Sequence, residues 1–175
     1  PSPSLWRLTF LDRDGSPAEK RRLMAAYRRF VQRHLYFHGQ DKQLLSKNPS
    51  FTPWMQTLAD AFPDARFIGC LRNPDASVPS QINSILIGAR LFEGRDTTTY
   101  WRDGFMAMLD YYYRHLLEVL DTLPESRQGL SVMEVLADRP AEVVAQLYVR
   151  FGWTLDLAFR ERLAEQDRKA KGYKS

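Results

Sequence analysis

The sequence is poor in the features that mark secreted, disulfide-stabilised and membrane-spanning proteins. It has one cysteine, Cys70, among 175 residues, so no disulfide can form within the chain. A reducing compartment is therefore expected, and we predict a cytoplasmic protein. No run of eighteen apolar residues is present, which excludes a membrane span in this segment. The first residues lack both the basic start and the apolar stretch of a secretory signal peptide.

The sequence also lacks the motifs of several enzyme classes. The phosphate loop of nucleotide kinases, Gly-x-x-x-x-Gly-Lys followed by Ser or Thr, does not occur. His34 and His38 lie four residues apart, a spacing that suits a metal, but no third ligand is evident, and we expect no metal. The chain begins with Pro1 and not with methionine, so we expect that residues precede it in the natural protein.

Composition indicates a folded domain with a slight positive charge. Hydrophobic residues make up 44% and aromatic residues 13% of the chain, which excludes disorder throughout, and the length fits one domain. The net charge of +4 suits a phosphate-bearing ligand. The basic stretch at residues 20–29 is interleaved with apolar residues, as on the solvated side of an amphipathic helix. Because nucleic acid needs a clustered basic patch, no nucleic-acid partner is expected.

Helix and strand signals alternate along the chain. Ser16, Pro17 and Glu19 form a capping box, which predicts a helix from Pro17 to His38 that ends at Gly39. Three short apolar stretches predict strands, at residues 42–47, 65–71 and 128–135. Further helices are expected at residues 50–62, after residues 72–74 through Val78 to Leu86, and at 97–123, 140–151 and 156–166, with an exposed loop or tail at 168–174.

This alternation predicts an α/β fold with a parallel sheet flanked by helices. The strand at residues 65–71 is short and continuously apolar, as in a sheet buried on both faces. Three strands are few for this number of helices, so we expect that an upstream segment contributes others.

Polar side chains follow two of the predicted strands. Lys47 ends the first strand and Arg72 follows the second, and we expect these strands to be neighbours. Both charges would then meet at one rim of the sheet, where ligands of parallel α/β proteins bind, with an anion between them. Ser80 lies two helical turns further on and offers a hydroxyl. The residues alone leave an alternative, in which Arg72 pairs with Asp75 or Asp64 and Ser80 is a small packed helix residue.

The segments that contain these residues resemble one known family. Residues 44–49 read Leu-Leu-Ser-Lys-Asn-Pro, residues 61–68 read Ala-Phe-Pro-Asp-Ala-Arg-Phe-Ile, and residues 71–74 read Leu-Arg-Asn-Pro, with Ser80 following. They resemble the central block of sulfotransferases that use 3′-phosphoadenosine 5′-phosphosulfate (PAPS), a group that includes bacterial and protein-tyrosine sulfotransferases.

The resemblance implies a P-loop-NTPase-like fold and a role for each matched residue. It implies that Arg72 and Ser80 bind the 3′-phosphate of PAPS, the donor co-substrate. It implies that Lys47 lies near the transferred sulfuryl group, where it would stabilise developing charge as the catalytic residue.

Two further matches extend the resemblance towards the end of the chain. Residues 131–136, with Pro140 and Gly152, are similar to a later segment of the family, in which Met133 replaces the usual tyrosine. Residues 171–175 resemble the start of the basic loop that closes over the nucleotide, which makes Lys174 and Ser175 candidate nucleotide-binding residues.

The family's 5′-phosphosulfate loop has no match in this sequence. We therefore predict that residues 1–175 form a single, partial sulfotransferase domain that lacks an N-terminal portion. A chain without that loop is expected to bind the nucleotide poorly, and such a fragment need not be active.

The expected reaction is transfer of a sulfuryl group from PAPS to a hydroxyl or amine. A small molecule, a carbohydrate, a lipid or a peptide would each suit as acceptor, because the acceptor pocket is not readable from the sequence. The general base is not assigned. Two alternatives remain: a nucleotide or small-molecule kinase of related architecture, and a non-catalytic interaction domain that retains the fold.

Overall fold

In the part of the chain that the structure describes, the secondary structure consists mainly of helices, with one pair of strands. The structure, a computed structural model, describes residues 3–93 and 97–172. The elements up to Ala61 are α1 (Pro3–Thr9), α2 (Leu11–Asp14), α3 (Pro17–His38), a 3₁₀ helix (Pro49–Trp54) and α4 (Met55–Ala61). The elements that follow are β1 (Phe67–Leu71), α5 (Pro74–Glu93), α6 (Thr98–Thr122), a 3₁₀ turn (Glu125–Arg127), β2 (Gln128–Val132), α7 (Met133–Asp138), α8 (Pro140–Arg150) and α9 (Leu157–Gly172).

The local signals for α3 are confirmed at both ends. The Ser16 hydroxyl accepts the N–H of Glu19 at 3.2 Å, and Pro17 occupies the first helical position. Gly39 ends the helix with a φ of 123°, a conformation that residues with a Cβ rarely adopt. The bounds of α3 therefore follow from its capping residues.

The sheet consists of β1 and β2, which pair in parallel from Phe67 opposite Gln128 to Leu71 opposite Val132. The prediction of an α/β fold with a small parallel sheet flanked by helices is confirmed. The strand predicted at residues 42–47 is wrong, because this segment has neither helical nor strand structure. Strand β1 is also less buried than predicted, since Ile68 is 37% exposed.

Other differences lie near the ends of the predicted elements. The short helices α1 and α2 were not predicted. Strand β2 stops at Val132, and the chain continues directly into α7. Residues 168–172, predicted as part of an exposed tail, continue α9 instead. Because the charged side chains here lack an apolar stripe, the helical period was not visible in the sequence.

The chain folds into two compact units. Unit 1 comprises the chain up to Pro63 together with Tyr111–Val119, the middle of α6. Its buried apolar side chains are Phe10, Leu11, Met24, Met55, Leu58, Ala59 and Val119. Within unit 1, α2 packs against the 3₁₀ helix and α4, and α3 packs against α4. Burial of each large apolar side chain contributes roughly 1.5–3 kcal/mol to folding.

Unit 2 comprises Asp64–Asp110 and the chain from Leu120 onward, and it contains the sheet. Helix α8 packs closely on β2 at Gly129, where an added Cβ would lie 2.5 Å from a methyl carbon of Leu147. A residue with a Cβ at this position would require the Leu147 side chain to move. Helix α8 ends at Arg150, and Gly152, two residues later, has a φ of 66°.

Candidate functional site at the ends of the strands

The candidate site lies in unit 2, where β1 and β2 end side by side. Leu71 is opposite Val132 at the last pair of the sheet. Continuing this register by two residues sets Asn73 opposite Glu134, and the backbone N–H of Asn73 donates to Glu134 Oε1 at 3.2 Å. The side chain of Glu134 thus satisfies an N–H that the sheet leaves unpaired. This contact joins the two strand ends.

Asn73 also begins α5. Its side-chain Oδ1 accepts the N–H of Asp75 at 2.9 Å, and its carbonyl accepts the N–H of Ser77 at 3.0 Å. The carbonyl receives a further contact from the N–H of Ala76 at 3.3 Å. Pro74 has no N–H, and the next three N–H groups of this first turn, those of Asp75, Ala76 and Ser77, all donate to Asn73. A phosphate bound here would therefore be held by side chains and not by these N–H groups.

Arg72 and Glu134 form the charged part of this rim, and both are exposed. Hydrogen bonds from the backbone N–H groups of Glu134 itself and of Asn73 hold the pKa of the Glu134 carboxyl below its ordinary value, and the positive charge of Arg72 acts in the same direction. Glu134 is therefore ionised near neutral pH. The rim carries one guanidinium and one carboxylate, and the sequence had pointed only to the first.

Ser80 lies on α5, six residues after its first residue, Pro74. At a rise of about 1.5 Å per residue, its Cα is roughly 9 Å further along the helix axis. Ser80 is exposed and Ser77, one turn earlier, is buried. Arg72 and Ser80 thus both belong to the β1–α5 region of unit 2, and their joint binding of a phosphate stays a prediction.

The remaining predicted site residues lie elsewhere. Lys47 is exposed, lies in an irregular segment of unit 1 and does not end a strand, so the prediction that neighbouring strands bring it to Arg72 is wrong. Its catalytic role now depends on the family resemblance alone. Lys174 and Ser175 lie outside the described residues. Met133, where the family usually has tyrosine, begins α7 and is 52% exposed.

A second polar cluster, in unit 1, was missed in the sequence. The Asp12 carboxylate contacts His115 Nε2 at 2.7 Å and accepts the N–H groups of Gln56 at 2.9 Å and Thr57 at 3.1 Å, as well as the Thr57 hydroxyl. The Asp12 and His115 side chains are 4% and 12% exposed. Asp12 therefore caps the start of α4 from a distant part of the chain.

The ionisation of this cluster follows from its contacts. Burial raises the pKa of Asp12, but the hydrogen bonds from His115, from the Thr57 hydroxyl and from two backbone N–H groups outweigh it and leave the pKa below 3.8. Burial, together with the charge of Asp12, raises the pKa of Tyr111, whose ring stacks on His115 at 5.0 Å, to about 12. Asp12 is thus an ionised carboxylate beside a protonated phenol. We assign a structural role to this cluster, because its hydrogen bonds hold α4 in place.

Two further properties of the described residues bear on the site. Within residues 3–93 and 97–172, no helix combines the length and the apolar character needed to cross a membrane. In the same part of the chain, no group of three or more histidine, cysteine, aspartate or glutamate side chains is arranged to hold a metal ion.

Comparison with known proteins gives one match. The model of the sulfotransferase family matches residues 5–156, which is most of the chain and includes Lys47, Arg72, Ser80 and Glu134. A search of the curated proteins found no match, and neither did a search of the solved structures.

Proposed function

Since this chain belongs to the sulfotransferase family, we propose that it serves the transfer of a sulfuryl group from PAPS to a hydroxyl or amine of an acceptor. The observation that carries the proposal is the family match over residues 5–156, within which Arg72 follows β1 and Ser80 lies on α5. The carboxyl ends of the strands are where parallel α/β proteins bind their ligands.

The proposed reaction is an in-line displacement at sulfur. A lone pair of the acceptor oxygen or nitrogen forms a new bond to sulfur, while the bond between sulfur and the bridging phosphate oxygen breaks. The electrons of the broken bond stay on the 5′-phosphate, so adenosine 3′,5′-bisphosphate leaves, and the acceptor proton passes to a base. Binding both substrates in line removes much of the entropic part of the barrier.

Arg72 and Ser80 are proposed to hold the nucleotide by its 3′-phosphate. A guanidinium presents a planar set of donors to phosphate oxygens, and a hydroxyl donates to another oxygen. Each charge-assisted contact of this kind contributes about 1.5–3 kcal/mol. The exposure of both side chains supports this role, since a ligand can approach them directly.

Lys47 is proposed as the catalytic residue that stabilises charge on the bridging oxygen in the transition state. Lys47→Ala is expected to lower kcat by about a hundredfold, as removal of one such donor does in other enzymes. Affinity for adenosine 3′,5′-bisphosphate should change little, because the charge develops only during transfer. Labelled PAPS with a panel of hydroxyl and amine acceptors measures kcat, and calorimetry measures the affinity.

Lys42→Ala is the matched control for Lys47, since it removes an exposed lysine five residues earlier in the same unit. It should leave kcat unchanged. An equal loss of activity in both variants, or none in Lys47→Ala, would contradict the assignment.

Thermal unfolding with two nucleotides tests the function itself. At a hundredfold excess over its Kd, adenosine 3′,5′-bisphosphate is expected to raise Tm by about 5 °C or more. ATP at the same concentration should raise it less, because it has no 3′-phosphate. A larger shift with ATP would favour a kinase, and the absence of any shift with the bisphosphate would contradict the proposed donor.

A further inference from the structure

We propose that Glu134 is a positioning residue of the nucleotide site. Its carboxylate fixes the β1–α5 connection from which Arg72 and Ser80 reach the 3′-phosphate. This inference rests on the proposed function and extends it to a residue of the second strand.

Asn73, the only residue between Arg72 and α5, is attached on two sides. On the helix side, the carbonyl and side chain of Asn73 accept the first N–H groups of α5. On the sheet side, its own N–H donates to Glu134 at 3.2 Å. Loss of the Glu134 acceptor would remove the hydrogen bond that attaches this connection to the end of β2. The backbone at Arg72 would then be held less firmly, because the Arg72 carbonyl belongs to the same peptide group as that N–H.

Arg72 and Glu134 also interact through their charges. Arg72 lowers the pKa of Glu134, so the guanidinium and the carboxylate attract each other without a ligand. An incoming phosphate must compete with Glu134 for this guanidinium, and the carboxylate also repels the phosphate. Glu134 therefore has two opposite effects on nucleotide binding. The hydrogen bond favours binding by holding the connection, and the negative charge opposes binding.

Two substitutions separate these effects. Glu134→Gln retains a side-chain oxygen that can accept the Asn73 N–H but removes the charge. Glu134→Ala removes both. We expect Glu134→Ala to weaken the binding of adenosine 3′,5′-bisphosphate by about threefold to tenfold, because loss of the hydrogen bond weakens binding about tenfold and loss of the charge offsets up to about threefold of this. Glu134→Gln should bind as tightly as the unmodified chain or up to about threefold more tightly. Isothermal titration calorimetry measures both affinities.

Glu161→Ala is the control, since it removes an exposed glutamate on α9 of the same unit. It should leave the affinity unchanged. Equal weakening in Glu134→Gln and Glu134→Ala, or unchanged affinity in Glu134→Ala, would overturn the proposal. Far-UV circular dichroism verifies that each variant is folded.

Amide hydrogen exchange without nucleotide tests the positioning role separately from the proposed function. Exchange at the Asn73 N–H should be about tenfold faster in Glu134→Ala and unchanged in Glu134→Gln. If the unmodified chain failed to bind the bisphosphate while this exchange pattern was found, the proposed donor would be wrong and the attachment of the connection by Glu134 would stand. Unchanged exchange in Glu134→Ala would overturn the attachment itself.

Discussion

Asp12→Ala is expected to destabilise the chain by about 3 kcal/mol, because it leaves several buried hydrogen-bond donors without their acceptor. The substitution leaves two N–H groups at the start of α4 and the His115 ring without their acceptor. Neither water nor another side chain reaches a site that is only 4% exposed without rearrangement. Urea denaturation followed by far-UV circular dichroism gives the free energy of unfolding.

The neighbouring Asp14 provides a matched control. Its carboxylate pairs with Arg13 at 2.7 Å, but the side chain is 40% exposed. Asp14→Ala should therefore cost less than about 1 kcal/mol, since exposed ion pairs contribute little. If the two variants were destabilised equally, the structural role that we assign to the cluster around Asp12 would be wrong.

The same cluster predicts a pH dependence of stability. The pKa of Asp12 is lower in the folded chain than the ordinary value of 3.8. The contribution of Asp12 is thus fully present above the unfolded-state pKa, and it is lost as the pH falls through the folded-state pKa. Between about pH 5 and pH 3, the unmodified chain should lose more stability than Asp12→Asn does. Parallel loss in both proteins would contradict this prediction.

Arg72→Ala has the largest expected effect on nucleotide binding. We expect the Kd for adenosine 3′,5′-bisphosphate to rise by about tenfold to a hundredfold, because the guanidinium contacts to the 3′-phosphate are lost. The substitution also leaves Glu134 without its counter-charge, which adds repulsion towards the phosphate. Calorimetric titration measures the effect, and binding of adenosine 5′-monophosphate, which lacks the 3′-phosphate, should be weak and change little.

Two variants sharpen this experiment. Arg102→Ala removes an exposed arginine that pairs with Asp103 in the same unit, and it should not alter the Kd. The double variant Arg72→Ala with Glu134→Gln should bind more tightly than Arg72→Ala alone, since it lacks the repelling carboxylate. Unchanged affinity in Arg72→Ala would remove this residue from the site.

Features that depend on near neighbours in the sequence were predicted correctly. The bounds of α3 follow from Ser16, Pro17 and Gly39, which act within one helical turn. The core of β1 follows from a short apolar run, and the helix after residues 72–74 follows from the apolar positions Val78, Ile82 and Leu86. The segments at residues 44–49, 61–68 and 71–74 are local in the same sense, and their resemblance to sulfotransferases led to the family that the match over residues 5–156 confirms.

Features that need a distant partner were not predicted. The stretch 42–47 has the composition of a strand, but a strand forms only when a neighbour accepts its hydrogen bonds, and β1 pairs with β2 in the described sheet. Likewise, the role of Asp12 was not predicted, since its partners His115 and Thr57 lie 103 and 45 residues away. Glu134 is 61 residues from Asn73.

The sequence by itself determined the family, the ends of the capped helix and the identity of the candidate phosphate ligands, because each of these is written in residues close together in the chain. The tertiary structure decided which strands pair, which carboxylate meets the Arg72 connection and which acid is buried. These outcomes depend on the burial and hydrogen bonding of groups that are far apart in the chain. The local pattern of apolar and polar residues around each group does not identify such distant partners.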